Sequence, residues 1–418
     1  MGASMADQAT VARAAGLLRD LTMAPVWAGL TCFVWYGFGA LPLHLEVAGQ
    51  LGLSAVQSSS WIFVIWFTGA MVSVALTVHY RIPIPITWTI PGLIYLGTLA
   101  GQFTFAELAG ANLVAGVAIL LLGLLRIGER VTAWLPLPIV MGMFAGSILV
   151  YVTRMVAASV EDAAVAGVAV LAYFAGRSVG DPRVPPMGLA VVAGGAAAWA
   201  SGSAAPEIVA WTLPALDAPE IRFSWSAVAA VSLPMTLLAV GLGNVQGLGF
   251  LIAQGYRVPI TPVTVAVGLA SIANAGLGGH PATVARTGAA ILAGPEAGPA
   301  RGRYWASLIA AVLTLSIALG AAALSSLLAA LPRSLVVALA GLAILSSLQS
   351  ALEAAFGRTL RLGALAAFAT ATTPFALFGI SSGFWSLLAG LAASFLAERA
   401  ELRAWRRGSE AARPLPQN

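Results

Sequence analysis

The chain has 418 residues, 59% of them hydrophobic and 9% charged, with a mean hydropathy of +0.91. That is too apolar for a soluble domain with a water-facing surface, and it predicts an integral membrane protein. The net charge of +5 rests on arginine alone, with no lysine and no basic patch interleaved with aromatics, so it reads as a topology signal and not as a nucleic-acid surface.

Residues 1–24 are polar to amphipathic, carrying Asp7, Arg13, Arg19 and Asp20, and lack an apolar core followed by small residues; no cleavable signal peptide is expected. Beyond them, apolar stretches recur that are long enough for a hydrocarbon core of ~30 Å, which takes ~20 helical residues. The predicted spans lie at about 25–47, 57–79, 84–101, 105–125, 131–152, 162–178, 187–202, 225–250, 260–276, 280–293, 303–331, 334–355, 361–378 and 382–399. The ~10-residue alternation of a closed β-barrel is missing. Cys32, the single cysteine, lies inside the first span, which excludes a disulfide framework and a thiolate cluster. It reads as a packing residue, and neither a metal nor a cofactor is expected.

The third and tenth spans are broken. In Arg81-Ile-Pro-Ile-Pro-Ile-Thr-Trp-Thr-Ile-Pro-Gly92, Pro91 pushes Ile90 out of the α region, so a half-helix with free amides from Gly92 is expected after a short strand. In Gly276-Leu-Gly-Gly-His-Pro-Ala-Thr-Val-Ala-Arg286, a strand-like Gly276 to Gly279 should end at His280, with a half-helix from Pro281 and free amides from Ala282 to Val284. The breaks occupy matching places at an offset near about 200 residues. Seven spans per copy is an odd number, so the second copy runs inverted, as in transporters that bind substrate near the midplane.

With both termini in the cytoplasm, Arg81, Arg126, Arg130, Arg177, Arg183, Arg257, Arg301, Arg303, Arg358, Arg361 and the tail arginines from Arg399 to Arg413 fall inside, and Arg154, Arg222 and Arg333 outside. That asymmetry predicts the orientation and makes 203–224 an external loop.

Two helix N-termini aimed at one place attract an anion. Arg286, read as lying five residues into the tenth half-helix, can reach back toward those amides; an arginine at that depth marks either a pathway or a structural pair. In the eighth span, Asn244 and Gln246 sit about 200° apart on a helix, so one should face the site and the other make an interhelical hydrogen bond. Gly243 and Gly247 have the spacing of close helix packing. His280 is the one histidine at a break, open to a capping role or to proton handling, whereas the carboxylates Glu46, Glu107 and Glu353 all lie nearer span ends. Gly379-Ile-Ser-Ser-Gly383 matches a nucleophile elbow formally but sits between apolar spans without a catalytic partner, so no enzyme is expected.

At these residues the chain resembles the benzoate/proton symporter family of bacteria. The likeness is carried by Tyr80 to Gly92, by Ala253-Gln-Gly-Tyr-Arg257 leading to Pro262, by Gly278-Gly-His280 with Ala289-Ala-Ile291, and by Gly294-Pro-Glu-Ala297. It extends from about residue 25 to 400. Ala285-Arg-Thr287 looks instead like the Ser-Arg-Thr/Ser of sulfate-permease-type anion transporters, and Asn244-Val-Gln246 departs from a more usual Gln-Asn order. The resemblance implies the seven-plus-seven inverted-repeat fold shared with nucleobase/ascorbate and sulfate permeases. Its core domain would be 25–126 and 225–331 and its gate domain 127–202 and 332–399, with a cytoplasmic N-terminal segment (1–24) and tail (400–418).

The expected protein is thus an all-α, multi-pass transporter of the bacterial inner membrane, with about fourteen segments of which 3 and 10 are strand plus half-helix. It would carry a small organic anion, first of all an aromatic carboxylate such as benzoate, together with protons. Its substrate residues would be Tyr36, Trp88, Thr89, Ile90, Pro91, Gly92, Asn244, Gln246, Gly279, His280, Pro281, Ala282, Thr283 and Arg286. Its proton carriers would come from His280, Glu46, Glu107 and Glu353. The lipid bilayer is a certain partner by composition, a homodimer is left open, and no nucleic acid is expected. The rivals are an inorganic-anion or nucleobase transporter of the same fold, and a channel-like anion conduit.

Overall fold

The computed structural model describes residues 20–126, 136–179, 186–204, 212–357, 359–377 and 380–411. Its first half comprises α1 (Met23–Gln50), α2 (Ala55–Tyr80), β1 (Ile86–Trp88), α3 (Ile90–Thr98), α4 (Phe105–Leu124), α5 (Leu137–Glu161), α6 (Ala163–Val179) and α7 (Pro186–Ala200). The second comprises α8 (Trp225–Ala253), α9 (Ile260–Gly276), β2 (Ala282–Val284), α10 (Arg286–Ala293), α11 (Tyr304–Leu319, followed by a short helix Ala321–Ala329), α12 (Arg333–Phe356), α13 (Arg361–Thr372) and α14 (Ser382–Ala397). The charged helix α15 (Arg399–Ala411) follows. Seven of the described helices are long and apolar enough to cross a membrane. Large apolar side chains such as Val160, Leu171, Val192, Trp199 and Val312 are exposed, as lipid-facing positions require.

The fifth span starts later than its hydropathy suggests. Pro136 and Pro138 set the beginning of α5, which runs on through Arg154 to Glu161, while 131–135 lie outside the described residues. Gly379 of the elbow-like motif also lies outside them, and Ile380–Ser381 pair with Ala376–Leu377 as a small hairpin.

β1 and β2 form an antiparallel ladder, Ile86 opposite Val284, Thr87 opposite Thr283 and Trp88 opposite Ala282. Each strand is also held by a serine from the second helix of its own half. Ser73 Oγ of α2 accepts from the Ile86 amide at 2.7 Å, and Ser271 Oγ of α9 accepts from the Ala282 amide at 2.9 Å. Buried backbone N–H groups must find partners, and at this depth protein supplies them. Gly69 lets α2 approach, since a Cβ there would lie 2.9 Å from the Ile86 carbonyl oxygen.

The ladder corrects the expected tenth segment. α9 extends to Gly276, Gly278 turns the chain with φ +78°, the strand is Ala282–Val284, and the half-helix begins at Arg286. Pro281 could start a helix, but pairing with β1 takes residues 282–284 first: the Thr89 amide donates to the Pro281 carbonyl and the Ala285 amide to the Pro85 carbonyl. The amides of Ala282 and Val284 are bonded to side chains, and Arg286 is the first helical residue instead of the fifth. In the third segment the extended boundary residue is Thr89 and not Ile90, so α3 begins at Ile90, one residue earlier than Pro91 suggested, and the Gly92 amide is not free, because Thr89 Oγ1 caps it at 3.3 Å.

α4 packs on α9, and α11 on α2 and α1; in a separate group, α5 packs on α12 and α13, α13 on α14, and α6 on α7. The arrangement leaves a cleft between α1, α3, α8 and α10 on one side and α5 and α12 on the other.

Candidate functional site

Into that cleft opens a cavity of about 760 Å³, including its mouth. Its floor is the strand ladder and the two half-helix starts: Thr87, Trp88, Thr89, Ile90 and Pro91 from one half, Thr283, Val284, Ala285, Arg286 and Thr287 from the other. Trp35, Tyr36 and Ala40 come from α1, Leu242, Gly243 and Gln246 from α8, Met141 and Phe144 from α5, and Ser347 and Ser350 from α12.

Two widened turns shape this lining. α1 is π-helical over Trp35–Ala40 and α8 over Leu237–Asn244, again at corresponding places in the two halves. A π stretch shifts the i→i−4 pattern and releases carbonyls, a distortion common at functional sites. In α8 the Ala239 carbonyl accepts from Thr283 Oγ1 at 2.8 Å, so the widened turn grips β2. Asn244 makes the interhelical contact, with Oδ1 accepting from the Val284 amide at 2.8 Å, and Gln246 faces the cavity. Gly243 permits the approach: a Cβ there would fall 2.0 Å from Thr283 Oγ1.

Arg286 sits at the first turn of α10, exposed to the cavity. Nη1 is 3.5 Å from Gln246 Oε1, and neither of the two ion pairs among the described residues involves it. No side chain caps α10, whereas α3 is capped by Thr89. An uncapped N-terminus and an unpaired guanidinium therefore share one wall, and their charges add where an anion would lie. The rest of the lining includes the apolar side chains of Trp35, Ile90, Met141 and Phe144, of which Met141 and Phe144 come from α5 across the cleft.

Of the predicted substrate residues, Tyr36, Trp88, Thr89, Ile90, Pro91, Gln246, Thr283 and Arg286 line the cavity, and Gly92, Asn244, Gly279, His280, Pro281 and Ala282 do not. Gly92 packs under Thr89 and Met235. Pro281 and Ala282 are buried in the ladder, and the Asn274 side chain holds the loop before it by donating to the His280 carbonyl at 3.0 Å. The His280 ring points away from the cavity, into a cluster with His44, Trp61 and Trp88.

The carboxylates suggested as proton carriers are engaged elsewhere. Glu46 accepts from Gln50 Nε2 at 2.7 Å, and Glu353 from Gln349 Nε2 at 2.8 Å. Glu107 closes a capping box with Thr104 at the start of α4.

Sequence reasoning passed over Trp35, Thr87, Met141, Phe144, Thr287, Ser347 and Ser350. The serines carried a signal, a polar Ser346-Ser-Leu-Gln-Ser350 inside an apolar span, whereas Met141 and Phe144 look like any other apolar positions.

A family model described as benzoate membrane transport protein matches residues 19–396. A benzoate membrane transport protein of Acinetobacter baylyi is 26% identical over 91% of this chain and 96% of its own length. The inner membrane protein YdcO of Escherichia coli (strain K12) is 29% identical over 82% of this chain and 88% of its own. Among solved structures, murine Slc26a9, an anion transporter in the inward-facing state, superposes with a TM-score of 0.63 at 15% identity, covering 91% of this chain and 69% of that one. The transmembrane domain of the cyanobacterial bicarbonate transporter BicA gives 0.53 at 15% identity, covering 92% and 98%. These likenesses establish the fold.

Proposed function

This chain belongs to the benzoate membrane transport protein family, and from that premise we propose that it is a secondary active transporter of a small organic anion, with benzoate or a related aromatic carboxylate as substrate and protons as the coupling ion. The observation that carries the reading is the Arg286 guanidinium, outside the ion pairs of the described residues, beside the uncapped start of α10 in a cavity that is otherwise lined largely by apolar side chains. The carboxylate would rest on Arg286 and the α10 amides, with Gln246 setting its orientation. The ring would pack against Trp35, Ile90 and Phe144. Benzoate and its close relatives have this division into one anionic and one apolar end, which inorganic anions lack.

In proteoliposomes, labelled benzoate should show saturable counterflow and should accumulate under an inward proton gradient. Sulfate, bicarbonate and uracil should compete poorly. Counterflow of an inorganic anion that benzoate does not inhibit would replace the substrate, and unitary currents without counterflow would point to a conduit.

Segments 1–4 with 8–11 would form the core domain and segments 5–7 with 12–14 the gate, a division supported by which helices pack together. The arginine distribution supports cytoplasmic termini. In that orientation the 203–224 connection is external, and Leu216, 61% exposed, offers a labelling position. Leu216→Cys in a Cys32→Ala background should react with an impermeant thiol reagent on whole bacterial cells. Labelling that requires opened cells would reverse the topology.

A further inference from the structure

Behind the ladder, away from the cavity, the rings of His44, Trp61, Trp66, Trp88 and His280 form one buried cluster. The His44 and His280 centroids are 5.7 Å apart, Trp61 lies 5.6 Å from His280, and Trp88 lies 3.9 Å from His44 and 5.7 Å from His280. Trp66 completes it, 6.0 Å from His44 and 5.8 Å from Trp88. Each of these side chains is at most 3% exposed.

The cluster is unusual for its polar atoms. Both ring nitrogens of His44, both of His280, and the indole nitrogens of Trp61, Trp66 and Trp88 are buried without a hydrogen-bond partner among the described residues. Buried polar groups in native proteins are nearly all bonded, and an orphaned donor or acceptor costs roughly 1–3 kcal/mol. Seven such atoms gathered in one place are the groups that internal water or a proton would satisfy. A neutral imidazole offers one donor and one acceptor, and the indoles offer donors only, so the cluster can chain internal water between the two histidines.

Among the described residues no carboxylate or guanidinium is hydrogen-bonded to either ring of the pair. α1 brings the Tyr36 phenol, which touches Trp66, and the Glu46 carboxylate, which is bonded to Gln50. α2 brings Trp61 and Trp66, β1 brings Trp88, and α9 brings Asn274, whose amide holds the His280 carbonyl. The two imidazoles are therefore the groups of this cluster that can take up a proton.

We propose that His44 and His280 form an internal proton-binding site. One proton from cavity water bonds to an imidazole nitrogen of the pair, is shared with the second ring through internal water, and later returns to water on the opposite side; two protons would place like charges side by side. Trp88 is the link between the two, since it lines the substrate cavity and its indole lies against His44. A ring bound in the cavity would thus press on the door of the proton site, which links cargo to coupling ion. This linkage rests on the transport reading; the proton site itself does not.

The chain has three histidines, and His79, exposed at the end of α2, is a built-in reference. Full-length protein labelled with ¹⁵N-histidine should show one of the two buried rings gaining a proton between about pH 5 and 8, the range in which imidazole charge can change. His280→Gln should move the titration of His44. If both rings stay neutral across that range, the site is refuted. In proteoliposomes His44→Gln and His280→Gln should keep benzoate counterflow but lose gradient-driven accumulation, which for one coupled proton is about tenfold per pH unit. Full accumulation by both variants would remove the pair and leave the transport reading intact. A wild type with counterflow but no gradient-driven accumulation would remove proton symport, and the titration alone would then judge the pair, as it would if a variant failed to fold.

Discussion

Replacing Arg286 by alanine should weaken benzoate binding by about 1.5–3 kcal/mol, the usual worth of a hydrogen bond to a charged group. In affinity that is roughly 10- to 150-fold at 1.4 kcal/mol per decade. The arginine is exposed to the cavity and forms no ion pair among the described residues, and its one side-chain contact, Gln246, is not buried, so the fold should persist with an unchanged melting temperature. Lysine should restore part of the loss. It keeps the charge but not the planar fork that meets both carboxylate oxygens. Equilibrium binding and thermal shift with benzoate would read both effects, and an alanine variant with wild-type affinity would make Gln246, not the substrate, the true partner of Arg286.

Asn244→Leu should behave in the opposite manner, injuring the scaffold before the ligand. Its Oδ1 is the acceptor for the Val284 amide and lies 3.1 Å from Thr283 Oγ1, so leucine leaves a buried N–H without a partner at the end of the ladder. The cost is about 1–3 kcal/mol. A lowered melting temperature should accompany loss of counterflow, because the Thr283 and Val284 lining moves with β2. Unaltered melting together with unaltered counterflow would show that the Asn244 bond contributes nothing.

These two residues also show what could be read from sequence and what could not. Composition and span length gave the membrane class, and prolines 91 and 281 located both breaks, because a missing N–H and a restricted preceding residue act locally. The choice between strand and helix after Pro281 is not local. It is decided by β1, some 200 residues earlier, whose exposed edge takes residues 282–284 before a helix can form. Arg286 was therefore singled out for its depth while its helical position was misjudged. Gln246 and Asn244 could be told apart in role by their angular spacing, yet which faced the cavity depended on the π-helical turn, which no periodicity announces. His44, near a span end, drew no role from the sequence for a similar reason: its partner His280 meets it only through tertiary packing. Met141, Phe144, Ser347 and Ser350 come from helices that resemble generic spans, and their place at the cavity follows from how the two helix groups face each other.

The ladder between β1 and β2 also governs the order in which this protein can be made. Residues 86–88 reach the bilayer long before 282–284 have been synthesised, and until then β1 has no strand partner. Ser73 can satisfy the Ile86 amide from within the first half, but the Thr89 amide must wait for the Pro281 carbonyl. An unpaired strand edge is not tolerated in lipid. A nascent chain halted between the two halves should therefore be held by the insertion machinery or degraded. Separately synthesised halves should survive only when each meets the other within the membrane.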